Sequence, residues 1–208
     1  MTRPHALKVT ALLGALTVAG ALSACAPLML GGAVISSTLM ATDRRTSGTQ
    51  IEDQAIELKS LNRIRDALGE RGHVSAISYN RTVLIVGEVP AEADKAAVEQ
   101  AVQRVENVRA VINEAEVMGS SSFASRSNDA LLTSKVKATL IDARDLSANA
   151  IKVVTERATV YLLGRVTDRE ATRATELTRS ISGVQKVVRL FEIITEAELA
   201  ELVPRPAK

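Results

Sequence analysis

A short apolar pattern with a glycine in a fixed position occurs twice in this chain, and this repeat constrains the fold more than any other feature. Residues 83–89 read VLIVGEV, and residues 160–166 read VYLLGRV, 77 positions later. The longer segments 73–89 and 150–166 also align, with apolar residues at matching positions. Self-similarity at a fixed period indicates a duplicated structural unit. The sequence therefore predicts two copies of one fold.

Each copy contains the same order of predicted elements: a helix, two strands, a second helix and a third strand. Short runs rich in valine and isoleucine are typical of strands, whereas apolar residues recurring every three or four positions are typical of helices. Thr167 and Glu170 match the capping-box pattern at the start of a helix. The predicted helices span residues 51–68, 90–105, 128–142 and 167–181.

Gly87 and Gly164 occupy the same position in the second predicted strand of each copy. A residue without a side chain suits a bulge or the close approach of a helix. Either glycine alone could be an ordinary turn residue, but their recurrence in register favours a packing role. We therefore predict that Gly87 and Gly164 are structural residues.

Changes in composition place the boundaries of the two repeats. The segment GSSSFASRS at 119–127 is rich in glycine and serine, which are typical of flexible connections. Because each repeat has only about 70 residues, a size at which a single core is marginal, we expect the repeats to pack on each other around Phe123. The predicted divisions are a first repeat at 46–118, a linker at 119–126, a second repeat at 127–195 and a C-terminal tail at 196–208.

The first 24 residues have the pattern of a secretory signal peptide. Arg3 and Lys8 precede an apolar run, and small residues follow it. The run is shorter than the ~20 residues that a membrane-spanning helix needs. Residues 22–25, Leu-Ser-Ala-Cys, resemble the bacterial lipobox, in which the cysteine thiol carries the lipid. The alternative is an ordinary signal peptide with a chance cysteine; we predict a lipoprotein signal peptide at 1–24.

Cys25 is the single cysteine, so no disulfide can form within the chain. Several acyl chains attached at this residue provide a stable membrane anchor. Ala26 follows it in place of aspartate, which favours transport to the outer membrane under the sorting rule of enteric bacteria. We therefore predict a lipid-anchored protein of the outer membrane that faces the periplasm, with lipidated Cys25 and a tether at 25–45.

The two repeats carry opposite charge. Residues 46–118 contain eight basic and twelve acidic residues, whereas residues 126–194 contain twelve basic and eight acidic residues. Each basic group near an anionic membrane contributes about 1 kcal/mol of attraction. The second repeat is therefore the one that we expect at an anionic surface.

The first helix of the second repeat has two distinct stripes. At about 100° per residue, one stripe is predicted to face the core and contains Leu132, Val136, Thr139 and Leu140. Leu131 and Lys135 lie on a neighbouring, exposed stripe, and an apolar residue beside a lysine suits contact with a membrane surface. The alternative is that Leu131 covers the edge of the core and Lys135 is simply solvated.

The sequence also resembles a known domain family. The pattern Val-x-Leu-x-Gly-x-Val, followed by a helix and Gly-Val-x-x-Val, resembles the BON domain. Asn107 replaces the second glycine of this pattern in the first repeat. The matching residues are Val83, Ile85, Gly87, Val89, Val108 and Val111 in the first repeat, and Val160, Leu162, Gly164, Val166, Gly183, Val184 and Val187 in the second.

A lipobox followed by two such repeats is similar to the dual BON-domain lipoproteins of the outer membrane. The resemblance implies an α+β fold of two tandem BON domains, each α-β-β-α-β with a three-stranded mixed sheet covered by two helices. It also implies that the second domain binds anionic phospholipid. Family members can carry an aromatic residue at the position of Leu131, so this chain departs from them there.

These observations predict a lipid-anchored protein that binds an anionic phospholipid membrane and helps to maintain the outer membrane. The candidate lipid-binding residues are Leu131, Lys135, Val136 and Lys137. The alternative function is an adaptor that binds envelope proteins, such as the barrel-assembly machinery or stress-response proteases, with incidental lipid contact. The acidic first repeat leaves that alternative open.

Other classes of function lack the residues that they need. Mature protein would retain His73 as its one histidine, and we interpret His73 as a turn residue beside a strand. We predict no catalytic residue, metal site, cofactor or small-molecule substrate. The GERG tetrapeptide at 69–72 imitates the GXXG loop of an RNA-binding KH domain, but the order of elements around it is wrong, so we predict no nucleic-acid partner.

Overall fold

Helices, strands and contacts are described for residues 43–202 in a computed structural model of the chain. The predicted signal peptide, the lipidation site at Cys25 and most of the tether lie outside the described residues, as do residues 203–208. The predictions for those segments therefore remain predictions.

Both repeats have the predicted order of elements. The first contains α1 (Ser47–Leu68), β1 (His73–Tyr79), β2 (Thr82–Val89), α2 (Glu92–Gln103), β3 (Ala110–Asn113) and β4 (Glu116–Val117). The second contains α3 (Phe123–Asp142), a short 3₁₀ helix (Ala148–Ala150), β5 (Ile151–Glu156), β6 (Thr159–Val166), α4 (Asp168–Arg179) and β7 (Lys186–Ile193). A last helix, α5 (Glu196–Leu202), follows it.

The two sheets share one topology. In each, the first two strands form an antiparallel hairpin, and the strand after the second helix runs parallel to the central strand. In the first repeat the outer parallel strand is interrupted, and β3 and β4 both pair with β2. The α+β fold of two mixed sheets with covering helices is therefore confirmed.

The connection between the repeats is shorter than the predicted linker. The side chain of Ser122 accepts a hydrogen bond from the backbone N–H of Ser125, and this N-cap allows α3 to begin at Phe123. Half of the segment 119–126 is therefore helical. Similarly, α5 occupies much of the segment 196–208 that we predicted as a tail.

Each hairpin turn is stabilised by an aspartate from the first helix of its own repeat. The turns are Asn80–Arg81 and Arg157–Ala158, and all four residues have positive φ, as type I′ turns require. Both central N–H groups donate to a single carboxylate, at 2.8 Å to Asp53 and at 2.9 Å to Asp129. These bonds compensate for the absence of the glycine or asparagine-glycine pair that such turns usually contain.

The central strands are buried on both faces, which explains why they read as continuous apolar runs. Val83 and Ile85 pack against the helices of the first repeat. Leu84 and Val86 point to the opposite face of the same sheet. In the second repeat, Val160 and Leu162 face helices, whereas Tyr161 and Leu163 do not.

The sheet faces without helices pack against each other and join the two repeats. Their shared core consists of Tyr79, Leu84, Val86, Tyr161 and Leu163, all at most 5% exposed. The predicted packing of one repeat on the other is therefore present, but its predicted centre is wrong. Phe123 is 79% exposed at the start of α3 and is not part of this core.

Gly87 and Gly164 do allow a close approach, although the neighbour is not a covering helix. A Cβ atom on Gly87 would overlap the carbonyl oxygen of His73 at the start of the partner strand, and Gly87 also has φ +120°. A Cβ atom on Gly164 would overlap the carbonyl oxygen of Ala150, in the 3₁₀ helix before β5. Both glycines therefore let the backbone at the start of the hairpin lie close to the central strand.

We predict that Gly164→Ala lowers the free energy of unfolding by about 1–3 kcal/mol, the usual cost of overpacking. The backbone oxygen of Ala150 cannot rotate away as a flexible side chain would. Urea unfolding followed by circular dichroism measures the change. Gly119→Ala is the control, since a Cβ atom there meets open space; equal stabilities of the two variants would contradict the role of Gly164.

Candidate functional site

The exposed face of α3 is the candidate site, and the structure places three of its four predicted residues there. Leu131 is 62% exposed, and Lys135 and Lys137 are also exposed. Val136 is buried completely in the core of the second repeat. The prediction that Val136 binds lipid is therefore wrong, because its side chain points into the core and cannot reach a ligand at the surface.

Two further apolar residues of α3 are exposed on the same side of the helix as Leu131. Phe123 is 79% exposed and Ile141 is 66% exposed. They are 18 residues apart, which is about five turns, so they lie on one stripe. The helical periodicity used for Leu131 also locates Ile141, whereas Phe123 was missed because we assigned it to the linker.

The two lysines lie on opposite sides of this apolar stripe. Lys135 and Lys137 are separated by about 200° around the helix axis. Neither forms an ion pair or hydrogen bond with another residue in the described part of the chain. The arrangement is that of a surface helix with apolar side chains between free cations, which suits an anionic interface. No helix within residues 43–202 is both long enough and apolar enough to cross a membrane.

A cleft of about 310 Å³ adjoins the C-terminal half of α3. Three cationic side chains line it, from Arg45, Lys137 and Lys152. Arg45 is paired with Asp43 at 2.6 Å, and Lys152 is paired with Glu57. Of the described cations in the cleft, Lys137 is therefore the one that has no acidic partner.

Part of the charge difference between the repeats is neutralised inside the protein. Lys152 of the second repeat binds Glu57 of the first, and Arg157 donates to Glu88 at 3.3 Å across the same interface. The basic character of the second repeat therefore has two causes. Some of its cations hold the repeats together, and others, such as those of α3, face solvent.

Residues immediately before α1 connect the first repeat to the second. Arg44 forms a bidentate pair with Glu170 of α4, at 2.7 and 2.8 Å, and both side chains are almost fully buried. Arg44 also donates to the carbonyl oxygen of Arg165 at 2.8 Å. Burial alone would raise the pKa of Glu170, but the hydrogen bonds from Arg44 and the Thr167 backbone hold this pKa below the usual glutamate value.

Tyr79 makes a second connection close to this segment. Its hydroxyl oxygen accepts a hydrogen bond from the backbone N–H of Arg165 at 3.1 Å. The guanidinium of Arg45 lies 4.3 Å from the centre of the Tyr79 ring, a cation–π distance. Burial raises the pKa of Tyr79 to about 12, so its hydroxyl stays protonated at neutral pH.

We predict that Arg44→Ala lowers the free energy of unfolding by about 3–5 kcal/mol at neutral pH, because it leaves the carboxylate of Glu170 buried without its partner. The contribution of Arg44 to the free energy of unfolding is fully present when the pH is above the ordinary glutamate pKa. It is lost as the pH falls through the lowered pKa of Glu170. Unfolding curves of the two proteins should therefore converge in acid. A constant difference across this pH range would contradict the assignment. Lys59→Ala, which breaks an exposed pair with Glu106, is the control.

Comparison with known proteins agrees with the observed repeat. The family model for the BON domain matches residues 52–119 and 128–195. The chain is 37% identical over 196 residues to "Outer membrane lipoprotein DolP" from Haemophilus influenzae, which covers 93% of this chain and all of that protein. It is 28% identical to a "21 kDa hemolysin" from Actinobacillus pleuropneumoniae over 73% of this chain and 79% of that protein.

Among solved structures, CdsD, a structural protein of the type III secretion system of Chlamydia trachomatis, aligns at 12% identity and a TM-score of 0.29. That alignment covers 71% of this chain and 99% of the CdsD chain. The two matched domains and the identity along most of the chain are decisive. The chain is a dual BON-domain protein and belongs to the family of DolP-like lipoproteins.

Proposed function

We propose that this protein is held at the periplasmic face of the outer membrane by lipids on Cys25, and that its second repeat binds anionic phospholipid through α3. The lipobox at residues 22–25 supports the anchor. The name of the relative from Haemophilus influenzae, an outer membrane lipoprotein, supports the location. In this proposal the protein acts by binding rather than by catalysis and helps to maintain the outer membrane.

The exposed surface of α3 is the single observation that carries the proposal. Leu131 projects from this surface between two lysines that have no acidic partner in the described residues. An unpaired lysine can approach an anionic headgroup without first breaking an ion pair. Each such cation contributes about 1 kcal/mol near an anionic surface, and burial of a leucine side chain adds about 1.5–3 kcal/mol at most.

The position of the first described residue supports the same surface. Asp43, the first described residue, lines the cleft that also contains Lys137 and Ile141 of α3. The described part of the chain therefore begins beside the proposed lipid-binding surface. A membrane anchor raises the local concentration of the protein at the lipid, which favours contact through this surface.

An adaptor function is the second candidate, and exposed apolar residues of the first repeat favour it. Ile51 and Leu58 are each 64% exposed on α1. This acidic repeat is less suited to an anionic membrane than to a protein partner of the envelope, such as the barrel-assembly machinery. Comparison of matched variants on α1 and α3 distinguishes the two functions.

We expect the double variant Lys135→Glu with Lys137→Glu to bind anionic vesicles at least about 30-fold more weakly at low salt, the equivalent of about 2 kcal/mol. Both lysines are exposed, so the fold should persist. Co-sedimentation of residues 26–208 with phosphatidylglycerol vesicles measures binding without the contribution of the anchor. The difference should shrink at high salt, where charges are screened.

The control for these charge reversals is Arg63→Glu with Arg65→Glu on α1. These arginines have the same spacing, are exposed, and form no side-chain ion pair with a described residue. The variant of α1 should bind vesicles much more strongly than the variant of α3. Equal losses would show that total charge, and not the surface of α3, determines binding.

Leu131→Glu should weaken vesicle binding roughly tenfold, because it replaces an apolar contact with a charge that the membrane repels. Leu58→Glu provides a matched control, since Leu58 is exposed to a similar extent on the other repeat. If Leu58→Glu abolishes capture of an envelope protein but leaves vesicle binding intact, the two repeats have separate partners. If Leu131→Glu leaves vesicle binding unchanged, the proposed surface is wrong.

A further inference from the structure

Three side chains that can bind metals converge at one end of the interface between the repeats. His73 is the first residue of β1, Glu88 is near the end of β2, and Glu156 ends β5. One ligand atom from each lies within 4.8 Å of the other two. His73 and Glu88 pair across the first hairpin, whereas Glu156 comes from the second repeat.

The converging atoms have no hydrogen-bond partners among the described residues. They are Nδ1 of His73, Oε2 of Glu88 and Oε1 of Glu156, and all three are buried. The Glu88 side chain is completely buried, with 0% exposure. Since a buried carboxylate oxygen without a partner is costly, these atoms favour the binding of a positively charged or proton-donating ligand.

The described charged groups around the cluster do not provide hydrogen-bond partners for these three atoms. Arg157 donates to Oε1 of Glu88 at 3.3 Å, and this bond leaves Oε2 without a partner. Nδ1 of His73 is 3.9 Å from Oε2, which is too far for a hydrogen bond. Burial, followed by the charges of Glu88 and Asp129, raises the pKa of Glu156 to about 7 despite the opposing effect of Arg157 and Arg126.

We propose that His73, Glu88 and Glu156 form a binding site for a divalent transition-metal ion, with Zn²⁺ as the best match. Zn²⁺ binds both imidazole nitrogen and carboxylate oxygen, whereas Mg²⁺ and Ca²⁺ prefer oxygen ligands alone. Three protein ligands leave one tetrahedral position for water. Tetrahedral zinc needs ligand atoms about 3.4 Å apart, so modest side-chain rotations would complete the geometry.

Such an ion would add a connection between the repeats beside the ion pair of Arg157 and Glu88. Two of its ligands belong to the first repeat and one belongs to the second. Tyr79, which contacts the second repeat, is six residues along β1 from His73, a distance of about 20 Å in a strand. The metal would therefore fasten the end of the interface that is remote from Tyr79, and this role is independent of lipid binding.

Zinc binding to the mature full-length protein tests the proposal. His73 is the one histidine that follows Cys25, so its imidazole signals in NMR spectra can be assigned without ambiguity. After removal of metals with a chelator, Zn²⁺ added to the protein in detergent should shift the His73 Nδ1 resonance and saturate at one ion per chain. Mg²⁺ at the same concentration should have no effect.

Two variants determine whether the response comes from this site. Glu156→Gln should weaken Zn²⁺ binding in calorimetry by at least about 100-fold, beyond the 10–100-fold typical of outer-shell partners, and should abolish the increase in thermal stability that Zn²⁺ produces. Glu116→Gln should bind normally, because this exposed carboxylate lies 3.9 Å from Arg157 but is not part of the cluster.

Three results would overturn the proposal. One is a His73 spectrum that Zn²⁺ does not change. Another is equal affinity of wild type and the Glu156→Gln variant. The third is an equal loss of affinity in the Glu116→Gln variant, which would indicate general electrostatic attraction. If Glu156→Gln proves unstable, His73→Gln repeats the comparison, since His73 makes no described hydrogen bond through Nδ1.

Discussion

The packing of one sheet against the other is the interaction on which the rest of this structure depends. Each repeat is too small to cover both faces of its sheet, because its two helices lie on one side only. The open faces carry Leu84, Val86, Tyr161 and Leu163, which lose contact with water only when the repeats meet. Duplication of the domain therefore supplies the second layer that each copy needs.

The sequence predicts well those features that depend on local periodicity. The repeat, the order of elements and the exposed position of Leu131 all follow from residue spacing along one strand or helix. The interface does not, because alternation along β2 shows two apolar faces but not what covers the second. The same limit applies to the turns at Asn80 and Arg157. Their conformation depends on Asp53 and Asp129, which are distant in sequence.

The basic residues of the second repeat have two different roles, because some form ion pairs with the first repeat and others face solvent. Net charge alone predicted an anionic partner for the whole repeat. The structure shows that Lys152 and Arg157 already have acidic partners in the first repeat, whereas the lysines of α3 do not. The useful quantity is therefore the charge that remains after internal pairing. Lys135 and Lys137 of α3 belong to that remainder, together with exposed cations on other elements of the repeat, namely Arg144, Arg179, Lys186 and Arg189.

The pair of Arg44 and Glu170 has a mechanical consequence for a protein that is attached to a membrane at one end. Arg44 precedes α1 in the chain but is bound to α4 of the second repeat. Tension applied from the N-terminal side would act on this buried, bidentate ion pair first. It could separate α1 from its sheet only after the ion pair had broken. The load would then be shared by both repeats, so the fold nearest the anchor would not be the first part to yield.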